Sequence, residues 1–191
     1  MQTADLTGRT IAILATDGVE QVELTQPREA LVAAGAETVL VSLDGSAVQG
    51  YNHLTAADSF PADTGVDKAE AGDYDGLLLP GGVANPDALR MDADAVAFVK
   101  AFAEAGKPIA AICHAPWTLA EADVLKGRRL TSWPSLQTDL RNAGAEWVDE
   151  EVVVDGNLVT SRKPDDLEAF CRESVALFND GGQPNPTTIA P

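Results

Sequence analysis

The chain has 191 residues, enough to bury the core of one domain without disulfide or metal staples. Thirty acidic against 13 basic residues give a formal charge of −17, which repels nucleic-acid phosphates and anionic membranes and excludes them as partners. No apolar stretch approaches the ~20 residues of a membrane span, and the opening "MQTADLTGRT" is no signal peptide, so a cytoplasmic protein is expected.

Along the chain, "RTIAILA" (Arg9 to Ala15) reads as a buried strand bounded by the turn-forming "TDGVE". A helical pattern follows from about Val22 to Ala34, closed by Gly35, with Pro27 implying a kink or a late start. "ETVLVS" is a second strand and completes a βαβ unit. "VQGYNHLTAADSFPADTG" suggests a hairpin and loop outside the main sheet. "YDGLLLPGG" is a third buried strand, Asp92 to Ala105 an amphipathic helix, and "KPIAAIC" the next strand. "APWTLAEADVL" then reads as a helix leaving the Cys113 turn. Pro134 to Ala143 is helical, "EVVVDGNLVTS" is a hairpin around Asp155–Gly156–Asn157, and Lys163 to Phe178 is a terminal helix. The pattern defines one domain over residues 1–178, with a Gly-, Pro- and Asn-rich tail over 179–191. It implies an open, mostly parallel sheet with helices on both faces.

In such sheets ligands bind beyond the carboxyl ends of the strands. Three stretches leave strands there: "TDGVEQVE", "LPGGVANPDALR" and "CHAPW". Cys113 falls on a strand-to-helix turn, the geometry of a nucleophile elbow, where a helix N-terminus would lower the thiol pKa. Alternatively it is a small buried hydrophobe. His114 is a candidate base whose N–H could serve an oxyanion, or simply a turn residue. Gly81 and Gly82 offer backbone N–H groups unobstructed by side chains, although a Gly pair after a strand is often only a turn. Glu20 and Glu23 follow the first strand. One carboxyl, kept protonated by burial, could donate to the sulfur and shuttle protons, or both belong to a solvated acidic loop. Two cysteines, Cys113 and Cys171, and two histidines, His53 and His114, show no zinc spacing, and no phosphate-binding glycine motif is present. Neither metal nor cofactor is expected. Cys171 reads as structural, His53 as a loop residue, and Trp133 and Trp147 as packing residues.

"VEQVEL", "LLLPGG", "PIAAICHAP", "GAEWVDEEVVVDGNLVTSR" and "PDDLEAF" together resemble the ThiJ/PfpI (DJ-one-like) superfamily, nearest its PfpI branch, from about Arg9 to Phe178. The resemblance implies a flavodoxin-like, class I glutamine amidotransferase-like sandwich with Cys113 as nucleophile. It implies Glu20 as the buried acid on the sulfur and His114 as the catalytic histidine. It also implies Asp87, reaching from a neighbouring subunit, as the acid that orients that histidine. Asp87 lies one residue further along and is one carbon shorter than the family pattern. The chain also departs from the family's "CHGPQ" with Ala115 and Trp117, and has Gln26 before Pro27. Trp117 would wall the pocket mouth or fill the helix core. Three functions follow: a stress-response thiol enzyme acting on glyoxal, methylglyoxal or their adducts, an intracellular cysteine peptidase, or a redox-sensing or chaperone-like protein with an oxidisable Cys113. The implied partners are a small carbonyl or peptide substrate and further copies of the chain, as a homodimer or a hexamer.

Overall fold

A computed structural model describes residues 4–181. The first strand, β1 (Thr10–Leu14), has four of its five residues fully buried. A two-residue strand, β2 (Val19–Glu20), leads directly into helix α1 (Gln21–Ala33), which passes through Pro27 instead of starting late because of it. β3 (Glu37–Ser42) follows. β4 (Val48–Asn52) and β5 (Thr55–Phe60) form the hairpin expected outside the main sheet, and β4 pairs with β2. After β6 (Thr64–Gly65) and β7 (Gly76–Leu79) comes α2 (Ala84–Leu89), a six-residue helix absent from the sequence-based pattern. Helix α3 (Ala93–Glu104) is capped by Asp92, whose carboxylate accepts the Ala95 N–H at 2.9 Å.

β8 (Ile109–Ile112) ends at the Cys113 turn, and α4 (Pro116–Glu121) is shorter than its apolar run suggested. β9 (Arg129–Leu130), α5 (Gln137–Asn142) and β10 (Glu146–Trp147) form a small side unit in which the two strands pair. β11 (Val152–Asp155) and β12 (Leu158–Ser161) are the expected hairpin, and α6 (Leu167–Asp180) closes the described chain. The tail expected from residue 179 therefore begins inside α6, and residues 182–191 lie outside the described residues.

The main sheet runs β11-β12-β8-β7-β1-β3-β6, parallel except where β11 meets β12. Strands covered on both faces carry continuous apolar runs, as "GLLL" and "IAAI" do, every residue of both being buried. Successive side chains alternate between faces. Ile11 and Ile13 join Leu24, Leu31, Phe170 and Phe178 from α1 and α6, while Ala12 and Leu14 join Phe98 and Phe102 of α3 on the other face. The result is the flavodoxin-like α/β sandwich. β1 neighbours β3 on one side and β7 on the other, so the chain's direction of travel across the sheet reverses there. The carboxyl ends of β1, β7 and β8 therefore open into one crevice. No helix among the described residues is long and apolar enough to cross a membrane.

Candidate active site

Cys113 follows β8 with φ 64, a left-handed conformation that costs a side-chain-bearing residue about 1–3 kcal/mol. Two backbone hydrogen bonds hold it there. The Cys113 N–H donates to Ser161 O at 3.0 Å, and its carbonyl accepts the Trp133 N–H at 2.8 Å. The bend turns the sulfur out of the sheet toward the β1 and β7 ends, as a nucleophile elbow does.

The acid against the sulfur is Glu23, where the family resemblance had implied Glu20. Glu23 sits in the first turn of α1 and is fully buried. Its Oε2 accepts the Gly81 N–H at 3.0 Å, its carboxyl pairs with the Cys113 thiol, and its Oε1 is buried without a protein donor. Burial pushes its pKa up to about 8, against the opposing hydrogen bond from Cys113. A helix N-terminus favours a negative charge by ~0.3–1 kcal/mol. Desolvation outweighs that here, so Glu23 is a neutral acid at pH 7. The helix turn places Glu20 differently. Its Oε2 accepts the His53 N–H at 3.0 Å, so it is fixed to the β4–β5 turn on the cavity wall.

Burial also pushes the Cys113 thiol up, reinforced by any charge on Glu23 and opposed by the Gly82 and His114 N–H groups. The expected lowering by a helix terminus does not prevail, because α4 starts only at Pro116 and the sulfur is desolvated. His114 Nδ1 lies 3.2 Å from Sγ, within reach of the thiol proton. Burial lowers the imidazole pKa to about 4, so a neutral base adjoins a neutral thiol.

Gly81 and Gly82 divide their duties. The Gly81 N–H is taken by Glu23, and its carbonyl accepts Asn85 Nδ2 at 2.9 Å, so it does not serve as the oxyanion donor expected of it. A Cβ there would meet Glu23 Oε2 at 2.5 Å and Cys113 Cβ at 2.6 Å, so only glycine fits. Gly82, at φ 81, keeps its N–H on the sulfur beside that of His114. These two are the donors available to a developing oxyanion.

The aromatic neighbours exchange roles relative to expectation. Trp117 stays off the cavity lining. Its Nε1 donates to Asp139 Oδ2 at 2.9 Å, Arg90 lies over its ring, and it packs against the core. Trp133, expected only to pack, lines the cavity and stacks on the His114 ring, with centroids 5.6 Å apart and planes at 21°. Trp147 packs as expected, its Nε1 donating to Ser132. Asp87 lies on α2 at the cavity rim, exposed, and no hydrogen bond joins it to His114 within the chain. Cys171 is half-buried on α6, its thiol pushed by burial to about 11.

Cys113, His114, Glu23 and Gly82 face one cavity of about 670 Å³, the first three at its inner end. Its outer wall is built by Asp17, Glu20, Tyr51, His53, Leu54, Val83, Asp87 and Trp133. Among the described residues no group of His, Cys, Asp and Glu side chains is arranged to hold a metal ion.

A parallel-sheet sandwich with a strained cysteine at the sheet's switch point, flanked by a buried glutamic acid, defines an elbow-type cysteine protein. The DJ-1/PfpI family profile matches residues 9–177, and the chain belongs to that family. It is 46% identical over 169 residues to Bacillus subtilis YraA, a protein named provisionally as a cysteine protease, covering 88% of this chain and 97% of YraA. It is 44% identical to protein/nucleic acid deglycase 2 of Escherichia coli, over 88% of this chain and 96% of the relative. The crystal structure of Drosophila melanogaster DJ-1beta superposes with a TM-score of 0.78 at 30% identity, covering 91% of this chain and 96% of that one.

Proposed function

We propose that the protein is a cofactor-independent cysteine enzyme of stress protection that converts glyoxal, methylglyoxal or their thiol and amine adducts to 2-hydroxy acids. One observation carries this reading. A thiol, a neutral base and a neutral acid meet at the inner end of one cavity, with Sγ 3.2 Å from His114 Nδ1 and Glu23 on the sulfur's other flank.

With methylglyoxal, the Cys113 proton passes to His114 Nδ1 as Sγ bonds the aldehyde carbon. The new oxyanion takes the Gly82 and His114 N–H groups. Glu23 gives its proton to the neighbouring carbonyl oxygen, and the carboxylate so formed takes the proton from the sulfur-bearing carbon, leaving an enediol. Returning that proton to the former carbonyl carbon gives the thioester, and the proton held by His114 restores Glu23, without external oxidant or reductant. Water then cleaves the thioester, releasing lactate and restoring the thiol. An adduct follows the same route, with the parent amine or thiol as an additional product.

The peptidase alternative draws on YraA and on the Cys113–His114 pair, and it needs Asp87 of a second copy to orient the imidazole. Exposed Leu54 and Val83 near the cavity support self-association as a dimer or a hexamer. The redox-sensor alternative has least support, because burial opposes the thiolate that oxidants attack. The experiment is a panel of methylglyoxal, its N-acetylcysteine and N-acetyl-lysine adducts, and casein peptides, comparing wild type with Cys113→Ser. Lactate formed by wild type alone is the expected result. Peptide cleavage without lactate, or lactate formation that survives Cys113→Ser, overturns the reading.

A further inference from the structure

The cavity wall is charged on one side only. Asp17, Glu20 and Asp87 line it, and no lysine or arginine does. His53 Nδ1 lies 3.8 Å from Glu20 Oε2, an ion pair only when the imidazole is protonated. Two cations next to Pro164, which lines the cavity, are engaged elsewhere. Arg162 is held by Asp149 at 2.7 Å and Asp166 at 2.8 Å, and Lys163 by Asp165 at 3.0 Å. Glu20 is the best fixed of the three carboxylates. It is 9% exposed, and the His53 N–H pins its Oε2 at the wall. At the inner end, Glu23 is fully buried and lines the same cavity, and it too brings no positive charge. The whole chain, at −17, adds the same sign of field.

We propose that Glu20 is a specificity-determining residue. With Asp17 and Asp87 it makes the cavity admit cationic and uncharged molecules and reject those carrying carboxylate, sulfonate or phosphate near the reacting carbon. This rests on the proposed thiol chemistry for the identity of the substrates, which would then be uncharged 2-oxoaldehydes and adducts on cationic or neutral carriers. Acidic carriers would be excluded. A fixed carboxylate attracts a cation and repels an anion, more strongly beside a buried wall than in open water, so the discrimination is about tenfold or larger.

The test does not depend on turnover. Cys113 is modified with two methanethiosulfonates of similar size, one bearing a trimethylammonium group and one a sulfonate, in a Cys171→Ser background followed by intact mass. Sγ attacks the reagent's sulfenyl sulfur, a mixed disulfide forms, methanesulfinate leaves, and the thiol proton passes to His114 and then to solvent. The expected ratio of cationic to anionic rates exceeds that at free cysteine by about tenfold or more. Glu20→Gln, which keeps the His53 hydrogen bond, lowers the excess by about threefold, and Asp17→Asn and Asp87→Asn lower it further. Salt at about 0.5 M largely erases it. A wild-type ratio within about twofold of free cysteine overturns the inference, and so does a ratio unmoved by all three substitutions. If methylglyoxal is not consumed but the charge ratio holds, the proposed chemistry fails and the selectivity stands.

Discussion

Glu20 and Glu23 lie three residues apart at the start of one helix, yet they belong to different regions of the cavity. Glu23 is at the inner end among the sulfur, the Gly81 N–H and the imidazole, where burial holds it protonated up to about pH 8. Glu20 is on the wall, tied to the His53 backbone. The inner end is buried and fixed by strain and close packing, whereas the wall carries exposed side chains such as Leu54 and His53. The same carboxyl group thus meets a buried thiol or a cavity wall according to which way one helical turn faces it, and the proposed roles of proton carrier and charge filter rest on that difference.

The sharpest break of that comparison is at the sulfur. Cys113→Ser is expected to lower kcat/KM for methylglyoxal by roughly a thousandfold or more, while Cys171→Ser stays within about twofold. Initial rates of lactate formation decide it. His114→Ala comes next, with a loss of roughly 10²–10⁴-fold because it removes the proton acceptor beside the thiol. Glu23→Gln should cost roughly 10–100-fold at neutral pH and change the pH profile as well. In wild type, kcat/KM falls below about pH 4 as His114 gains a proton, and above about pH 8 as Glu23 loses one. Glu23→Gln abolishes the alkaline limb. Glu20→Gln leaves the limb in place, and a Glu20→Gln enzyme without it would break the division between the two regions.

The smallest effect is on stability. The folded-state pKa of Glu23 is raised from 4.5 to about 8, so between those values the native state holds a proton that the unfolded chain has released. Unfolding free energy therefore falls as pH rises through that window. For His114, lowered from 6.5 to about 4, the native state holds the smaller share of the proton between those values, and stability rises with pH there. Denaturant unfolding from pH 6.5 to 8 should show wild type losing stability and Glu23→Gln losing less. Equal slopes would contradict the assignment.

Much of this architecture was legible in the sequence. Strands buried on both faces must be continuously apolar, and runs such as "IAIL" and "IAAI" end where glycine or the Cys-His pair turns the chain. Cys113 was legible for the same reason. Local pattern could not decide between Glu20 and Glu23, because both follow the first strand and only the seating of α1 against the Gly81 turn selects Glu23. Trp133 was beyond reach too. It stacks on His114 because its N–H reaches back to the Cys113 carbonyl, a contact between residues 20 positions apart that leaves no mark in either segment. Helix α2 went unnoticed because six residues containing Asn85 and Pro86 read as a loop.

The central claim is that a neutral carboxyl of Glu23 abuts the Cys113 sulfur at physiological pH. Infrared difference spectra between wild type and Glu23→Gln, recorded from pH 6 to 10, address it directly. The account predicts a protonated-carboxyl band at pH 7 that belongs to Glu23 and bleaches with a midpoint near 8. A carboxylate signal from Glu23 already complete at pH 6 would contradict it.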